Sequence, residues 1–222
     1  MIFDLWDTLV DWPADVWARL RLEMARLVQT DEARFDELWR ETYWIRQTGP
    51  IRDAVVALGG PEEADEQVLE ARTRFTRAAL VPRRGALETL HELRRRGYRL
   101  GLISVCSEEV AQVWEMTPFA GLFDSTVFSA TCALRKPDRE IYELALRELD
   151  VEPHEAVFVG DGANDELAGA ERVGMRAVLV HRPGEEPRWE EARAFSGRRI
   201  TEISQLLALI EDHGHSTEEG RC

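Results

Sequence analysis

Residues 1–10 read MIFDLWDTLV, and this stretch decides the fold. Met1–Leu5 is a short apolar run with a carboxylate, Asp4, near its end. Asp7 and Thr8 make a tight turn, and the chain leaves on Leu9-Val10. Open α/β sheets bind their ligands at the carboxyl ends of buried strands. An aspartate at that place is therefore a candidate for chemistry rather than packing.

Three later stretches end in the same way. Arg99–Ser104, RLGLIS, reads as a buried strand closing on a hydroxyl. Thr126–Phe128 reads as a short strand, and Lys136 follows it in Leu134-Arg135-Lys136-Pro137-Asp138. Ala156–Gly160, AVFVG, is the clearest buried strand, and Asp161 and Asp165 follow in VGDGAND. A further strand is expected at Arg176–Val180. Between these runs lie helical patterns: Leu87, Leu90 and Leu93, stopped by Gly97; Ser107–Trp114; Ile141, Leu144, Ala145 and Leu149; Ala163–Glu171; and Ile203, Leu206, Leu207 and Ile210. Apolar spacing at i, i+3, i+4 and i+7 marks one face of a helix. Strands alternating with helices imply a parallel sheet covered on both faces.

Residues 14–79 break that alternation. Trp17, Leu20, Met24, Leu27 and Val28 share a helical face. Phe35, Leu38 and Trp39 repeat it, as do Ile51, Ala54, Val55 and Leu58, and then Val68, Ala71 and Phe75. Thr48-Gly49-Pro50 and Gly59-Gly60-Pro61 punctuate the run. The expected fold is α/β: a parallel-sheet core with helices on both faces, formed by 1–12 and 80–212, with an insert of about four helices at 13–79. Pro183–Glu191 reads as an acidic loop, and the polar residues 213–222 as a disordered tail. His213 and His215, inside that tail, are read as inert.

A chain of 222 residues can bury a core without staples. Lys and Arg number 28 and Asp and Glu 42, a formal net charge of −14. That field disfavours nucleic acid and anionic lipid as partners. An anionic substrate must be drawn in by local cations or a metal. Cys106, Cys132 and Cys222 are odd in number and widely spaced, the pattern of a reducing, cytoplasmic setting. Asp4 and Asp7 interrupt the first apolar run, so it is not expected to act as a secretory signal. No apolar run reaches the ~18 residues of a membrane span.

Asp161 and Asp165 sit four apart around a strand-to-helix turn. Two carboxylates aimed at one point suit Mg²⁺, a hard cation that takes oxygen ligands. Helix capping would account for one aspartate there, less easily for two, and not for Asp4. Ser104 and Lys136 alone are ordinary turn and surface residues. Together with the carboxylates they could hold the oxygens of a phosphate.

The ordered set Asp4–Thr8, Ser104, Lys136 with Pro137-Asp138, and Gly160-Asp161 with Asp165 resembles the haloacid dehalogenase-like hydrolase superfamily, with a helical insert like its cap domain. The resemblance runs to about residue 210. It implies a Rossmann-like core and, for most members, Mg²⁺-dependent phosphatase activity through an aspartyl-phosphate; the expected substrate is a small phosphorylated metabolite, and the expected assembly a monomer or homodimer. Carried over, Asp4 is the nucleophile. Asp161, Asp165, Asp4 and the carbonyl of Trp6 hold Mg²⁺, Ser104 and Lys136 hold phosphate oxygens, and Thr8 fixes the turn. The family's phosphatases place a general acid two residues after the nucleophile. Here Trp6 stands there, with Asp7 one residue later as a candidate substitute; a water or an insert residue could also serve. The aromatic at that position leans toward the superfamily's dehalogenases, whereas Asp161 and Asp165 lean toward phosphatase; a non-catalytic binding module is a third possibility. Trp12, Trp17, Trp39, Tyr43 and Trp44 are expected mostly to pack the insert, with Trp12 at the hinge best placed to face a substrate.

Overall fold

The computed structural model describes the backbone of residues 1–215 and the side chains of residues 1–211. Six strands form one parallel sheet: β1 (Ile2–Phe3), β2 (Gly101–Ser104), β3 (Ser125–Phe128), β4 (Val157–Gly160), β5 (Arg176–Val180) and β6 (Arg198–Ile200), in the order β3-β2-β1-β4-β5-β6. β1 lies at the centre, its Ile2 and Phe3 paired with Gly101 and Leu102 on one side and Phe158 and Val159 on the other. The chain reverses direction across the sheet on either side of β1, and the strand ends of β1, β2 and β4 converge there. This is the switch point at which such sheets bind ligands.

Two apolar layers cover the sheet, as a parallel sheet requires. One gathers Phe3, Leu90, Leu93, Leu102 and Val159; the other gathers Ile2, Ile103, Ile141, Tyr142, Phe158 and Leu179. Alternate residues of a strand face opposite sides, so neighbours Ile2 and Phe3 serve different layers. Leu100 and the amide of Asp4, which donates to Val159 O at 2.9 Å, extend the pairing. Hydrogen-bonded β structure at the first strand covers Ile2–Phe3, two residues rather than the five expected, because the chain leaves the ladder after Asp4 on its way to the turn at Asp7–Leu9.

Between Ala14 and Ala79 the chain is helical: α1 (Ala14–Leu27), α2 (Glu32–Glu41), α3 (Tyr43–Thr48), α4 (Ile51–Ala57) and α5 (Asp65–Ala79). Five helices stand where about four were expected, α3 being too short to show a periodic face. They enclose their own apolar cluster of Leu20, Met24, Phe35, Val55, Val68 and Phe75. α5 packs on α1 and, across the site, on the short helix Glu108–Val113.

Elements that escaped the sequence reading include β6 and a short helix beside the acidic loop, while the expected final helix runs longer than read. β6 is an edge strand of charged and apolar residues. Glu190–Ala194 is a short helix inside the acidic loop region. The final helix, Leu206–His215, extends past residue 212 into the stretch read as tail; residues 216–222, including Cys222, lie outside the described residues, as do the side chains of His213 and His215. Cys106 and Cys132 are free thiols. Among the described residues, no helix is long and apolar enough to cross a membrane.

Candidate active site

Lys136 is the hub of the site. It is buried, and its Nζ donates to Asp4 Oδ1 at 2.6 Å and also to Glu166 Oε2. Asp4 is held at the end of β1, and its Oδ2 takes no hydrogen bond from any described residue. Burial by itself lowers the affinity of Lys136 for its proton, but the charges of Asp4 and then Glu166 outweigh that and raise it. Lys136 is therefore a fixed ammonium.

Three carboxylates meet beside it. One ligand oxygen from each of Asp4, Asp161 and Glu166 lies within 4.8 Å of the others, and all three residues are buried. Asp161 accepts from the Ala163 amide at 3.1 Å through Oδ1 and from the Trp189 indole N–H at 2.6 Å through Oδ2. Glu166 Oε1 accepts from the Gly162 amide at 2.9 Å. Gly160 is required here, because a Cβ on it would collide with the Glu166 carboxylate. Gly162, at φ +88°, takes a turn that L side chains avoid.

The second carboxylate of the expected pair is thus Glu166, and Asp165 is not brought to the site. Asn164 and Asp165 both adopt left-handed backbone, φ 54° and 55°. The regular helix begins at Glu166, not at Ala163, and runs to Arg172. Those two left-handed residues add a kink that aims Asp165 outward, where its half-exposed carboxylate pairs with Arg172 at 3.1 Å. Glu166 returns inward, its carbonyl gripped by the Tyr142 hydroxyl at 2.8 Å. One signal for this was in the sequence: Glu166, Gly169 and Ala170 share the buried face of this helix at i, i+3 and i+4.

The remaining candidates are dispersed around this cluster. The Ser104 and Thr8 hydroxyl oxygens are buried with no hydrogen-bond partner. Thr8 does not fix the turn through its hydroxyl. The turn is held instead by Asp7, whose Oδ1 accepts from the Trp12 amide at 3.1 Å, and by Arg83, which donates to the Asp7 carbonyl at 2.7 Å. Asp7 Oδ2 pairs with Arg188 at 3.2 Å. Both Asp7 oxygens thus have partners of their own, Trp12 and Arg188, which line the same cavity as Asp4. The Trp6 side chain packs edge-on against Trp12 at 5.2 Å.

A cavity of about 580 Å³ stands over Asp4, Lys136 and Asp161. Its far wall is the helical insert. Trp12, Trp17 and Trp39 run along that wall, with ring centroids 5.6 Å apart for the first pair and 5.0 Å for the second. Tyr43 also lines it, while Trp44 stacks beneath Arg135 instead. The aromatics are both packing and wall: Phe35 and Phe75 fill the insert's core, and the tryptophans cover its underside. The insert is tied to the core at this rim by Asn164 donating to the Tyr43 hydroxyl at 3.2 Å, and by Arg72 donating to Glu109 at 2.6 Å.

Three carboxylates against one ammonium leave two negative charges uncompensated when all are ionised. Burial, then Asp4, pushes the Asp161 carboxyl up to about 6. Burial also raises Glu166 well above the usual carboxylate range, with Asp4 and Asp161 adding and Lys136 only partly offsetting. A hard divalent cation resolves this crowding. The donors are all carboxylate oxygens, the ligand chemistry that a hard cation such as Mg²⁺ takes, and one from each residue lies within 4.8 Å of the others. The residues fit such an ion.

Two predictions follow from this chemistry. A proton competes with a cation for Asp161 below about pH 6. Lowering pH from 7.5 to 5 protonates that carboxyl, so Mg²⁺ affinity measured by calorimetry falls about tenfold through this group. Trp189→Phe keeps the packing and removes the N–H donor that orients Asp161. Mg²⁺ affinity then falls about 10–100-fold, with the circular dichroism spectrum unchanged; an unaltered affinity assigns the indole to packing alone.

Comparison with known proteins gives a consistent picture. The family model described as haloacid dehalogenase-like hydrolase matches residues 1–174. The chain is 31% identical over 150 residues to a glyceraldehyde 3-phosphate phosphatase of Pyrococcus furiosus, covering 66% of this chain and 61% of that protein. It is 31% identical over 126 residues to (S)-2-haloacid dehalogenase 4A of Burkholderia cepacia, covering 56% and 53%. The match thus spans less than two thirds of these curated relatives. The crystal structure of a HAD phosphatase from Thermococcus onnurineus superposes with a TM-score of 0.73 at 22% identity, covering 94% of this chain and 96% of that one, a likeness of fold.

Proposed function

The chain belongs to the haloacid dehalogenase-like hydrolases, and from that premise we propose that it is a Mg²⁺-dependent phosphatase of a small phosphorylated metabolite, working in the cytoplasm through an aspartyl-phosphate on Asp4. The observation that carries this reading is the convergence of Asp4 and Asp161 at the floor of one cavity, with Lys136 beside them and Glu166 buried behind it. A metal-independent attack on a haloalkanoate leaves so much buried negative charge uncompensated, whereas a divalent cation offsets it and the incoming phosphoryl charge together.

Asp4, Asp161 and Glu166, with the Trp6 carbonyl, are the residues that would hold the ion. When bound, Mg²⁺ offsets the charge of the transferring phosphoryl group. Lys136 fixes Asp4 Oδ1, leaving Oδ2 to attack phosphorus. The new Oδ2–P bond forms as the ester P–O bond breaks, and the electron pair departs on the substrate oxygen. A water then attacks the same phosphorus, the Oδ2–P bond breaks, and the carboxylate and inorganic phosphate are released. Lys136 and the orphaned Ser104 hydroxyl are the groups we assign to the phosphoryl oxygens.

The Trp6 indole is not an acid that can protonate a leaving group, and Asp7 is occupied by the Trp12 amide and Arg188. An aryl phosphate, whose leaving group departs without a proton, is accordingly the right probe. Phosphate release from it and from a phosphometabolite panel is expected with Mg²⁺ and abolished by EDTA. Absence of release under every condition overturns the proposal. Trp6 favours the competing dehalogenase reading, and chloride release from 2-chloropropionate without metal would establish it; none is expected.

A further inference from the structure

The insert carries two buried arginines over the cavity. Arg46, on α3, and Arg72, on α5, are 3% and 6% exposed, and both line the cavity together with Trp39 of α2. The Arg46 guanidinium carbon lies 3.5 Å from the Trp39 ring centroid and that of Arg72 5.3 Å from it. One aromatic ring therefore brings both cations together.

Their hydrogen bonding is incomplete. Arg46 donates to the Trp39 carbonyl at 2.6 Å, and its Nε has no partner. Arg72 donates from one nitrogen to Ser107 and to Glu109, while its Nε and Nη1 have none. Arg46 makes no ion pair among the described residues. Two guanidinium charges thus face one carboxylate, Glu109, in a buried place. Burial and the neighbouring Arg72 charge lower the Arg46 pKa to about 9, as expected for a cation lacking its counter-ion. Leaving buried donors unpaired is costly. The aspartate cluster on the opposite side of the cavity has the reverse imbalance, too much negative charge.

We propose that Arg46 and Arg72 form a second oxyanion subsite, so that the substrate is a phosphoester bearing a distal carboxylate or second phosphate. This rests on the phosphatase reading for the first phosphate, and it adds what recognises the other end. Guanidinium N–H donors suit both oxyanions, and the tryptophan wall covers the apolar link between the two charged ends.

The test compares three series of esters, with spacers of two to six carbons: alkyl phosphates, the same chains ending in carboxylate, and the same chains ending in phosphate. One of the two dianionic series is expected to exceed the alkyl phosphates in kcat/KM by about 10–100-fold at its best spacer, and which one does so identifies the oxyanion. In Arg46→Gln that ratio drops to within about threefold of unity. A ratio near unity in the wild type, or an unaltered ratio in Arg46→Gln, overturns the subsite. Arg72→Gln serves as a second variant, but it also breaks the Glu109 contact, so Arg46→Gln carries the test. If no ester releases phosphate, the phosphatase reading has failed and the subsite is read directly. Malonate and inorganic phosphate are titrated against tryptophan emission, Trp39 being the reporter. Saturable change in the wild type that is lost in Arg46→Gln supports the subsite, and no saturable change overturns it.

Discussion

Asp4→Asn reduces Mg²⁺-stimulated phosphate release from an aryl phosphate by about 10⁴-fold or more. The amide has nearly the shape of the carboxylate, and its oxygen can still accept from Lys136, which now meets Asp4 at 2.6 Å. What is lost is the nucleophilic oxygen. The substitution also removes a charge that raises both Asp161 and Glu166. The cation-free variant is therefore expected to melt at the same temperature as the wild type or above it, since like-charge crowding is relieved. Loss of turnover with stability retained separates a nucleophile from a residue that holds the fold. If Asp4→Asn keeps more than about a hundredth of the activity, Asp4 acts at most as a charge beside another nucleophile. A melting temperature well below wild type instead makes Asp4 a structural partner of Lys136.

The sheet was legible in the sequence because each of its central strands is a continuous apolar run bounded by polar residues, as burial on both faces demands. β6 was not, since Arg198 and Arg199 leave one buried residue, Ile200, and no pattern. Asp4, Lys136 and Asp161 could be placed because each follows an apolar strand, directly or after its loop. Their convergence was expected from topology alone, and the geometry agrees for Asp4, Lys136 and Asp161. Glu166 was missed because reading a helix through Ala163–Glu171 assumes αR backbone. Asn164 and Asp165 tolerate the left-handed region better than most residues, and their use of it shifts the inward position by one. The Arg46–Arg72 pair was invisible for another reason. Its members are 26 residues apart on different helices, and only their packing around Trp39 unites them.

Glu166→Gln lowers activity by about 10²–10⁴-fold, whereas Asp165→Asn leaves it within about threefold of wild type. The two residues are adjacent in sequence, so the contrast isolates direction rather than location. Glu166 is fully buried, with one oxygen accepting from Lys136 and the other from the Gly162 amide. A glutamine can face only one of these donors with its oxygen; its NH₂ must meet the other, leaving a buried donor unpaired at a cost of about 1–3 kcal/mol. Its charge is also gone from the three-carboxylate set, so Mg²⁺ affinity should fall with turnover. Among the described residues the Asp165 carboxylate pairs with Arg172 alone, at 3.1 Å, and both side chains are about half exposed. Such a pair contributes roughly 0–1 kcal/mol in water. Calorimetric titration with Mg²⁺ decides between the two residues independently of any substrate. Weakened binding in Glu166→Gln with Asp165→Asn unaffected places the second carboxylate at 166. The reverse outcome requires the Asn164–Asp165 kink to unwind when the cation binds, turning Asp165 inward and breaking its contact with Arg172. Arg172→Ala then discriminates further: freeing Asp165 should strengthen binding if that rearrangement occurs, and should have no effect if the carboxylate of residue 166 already holds the position.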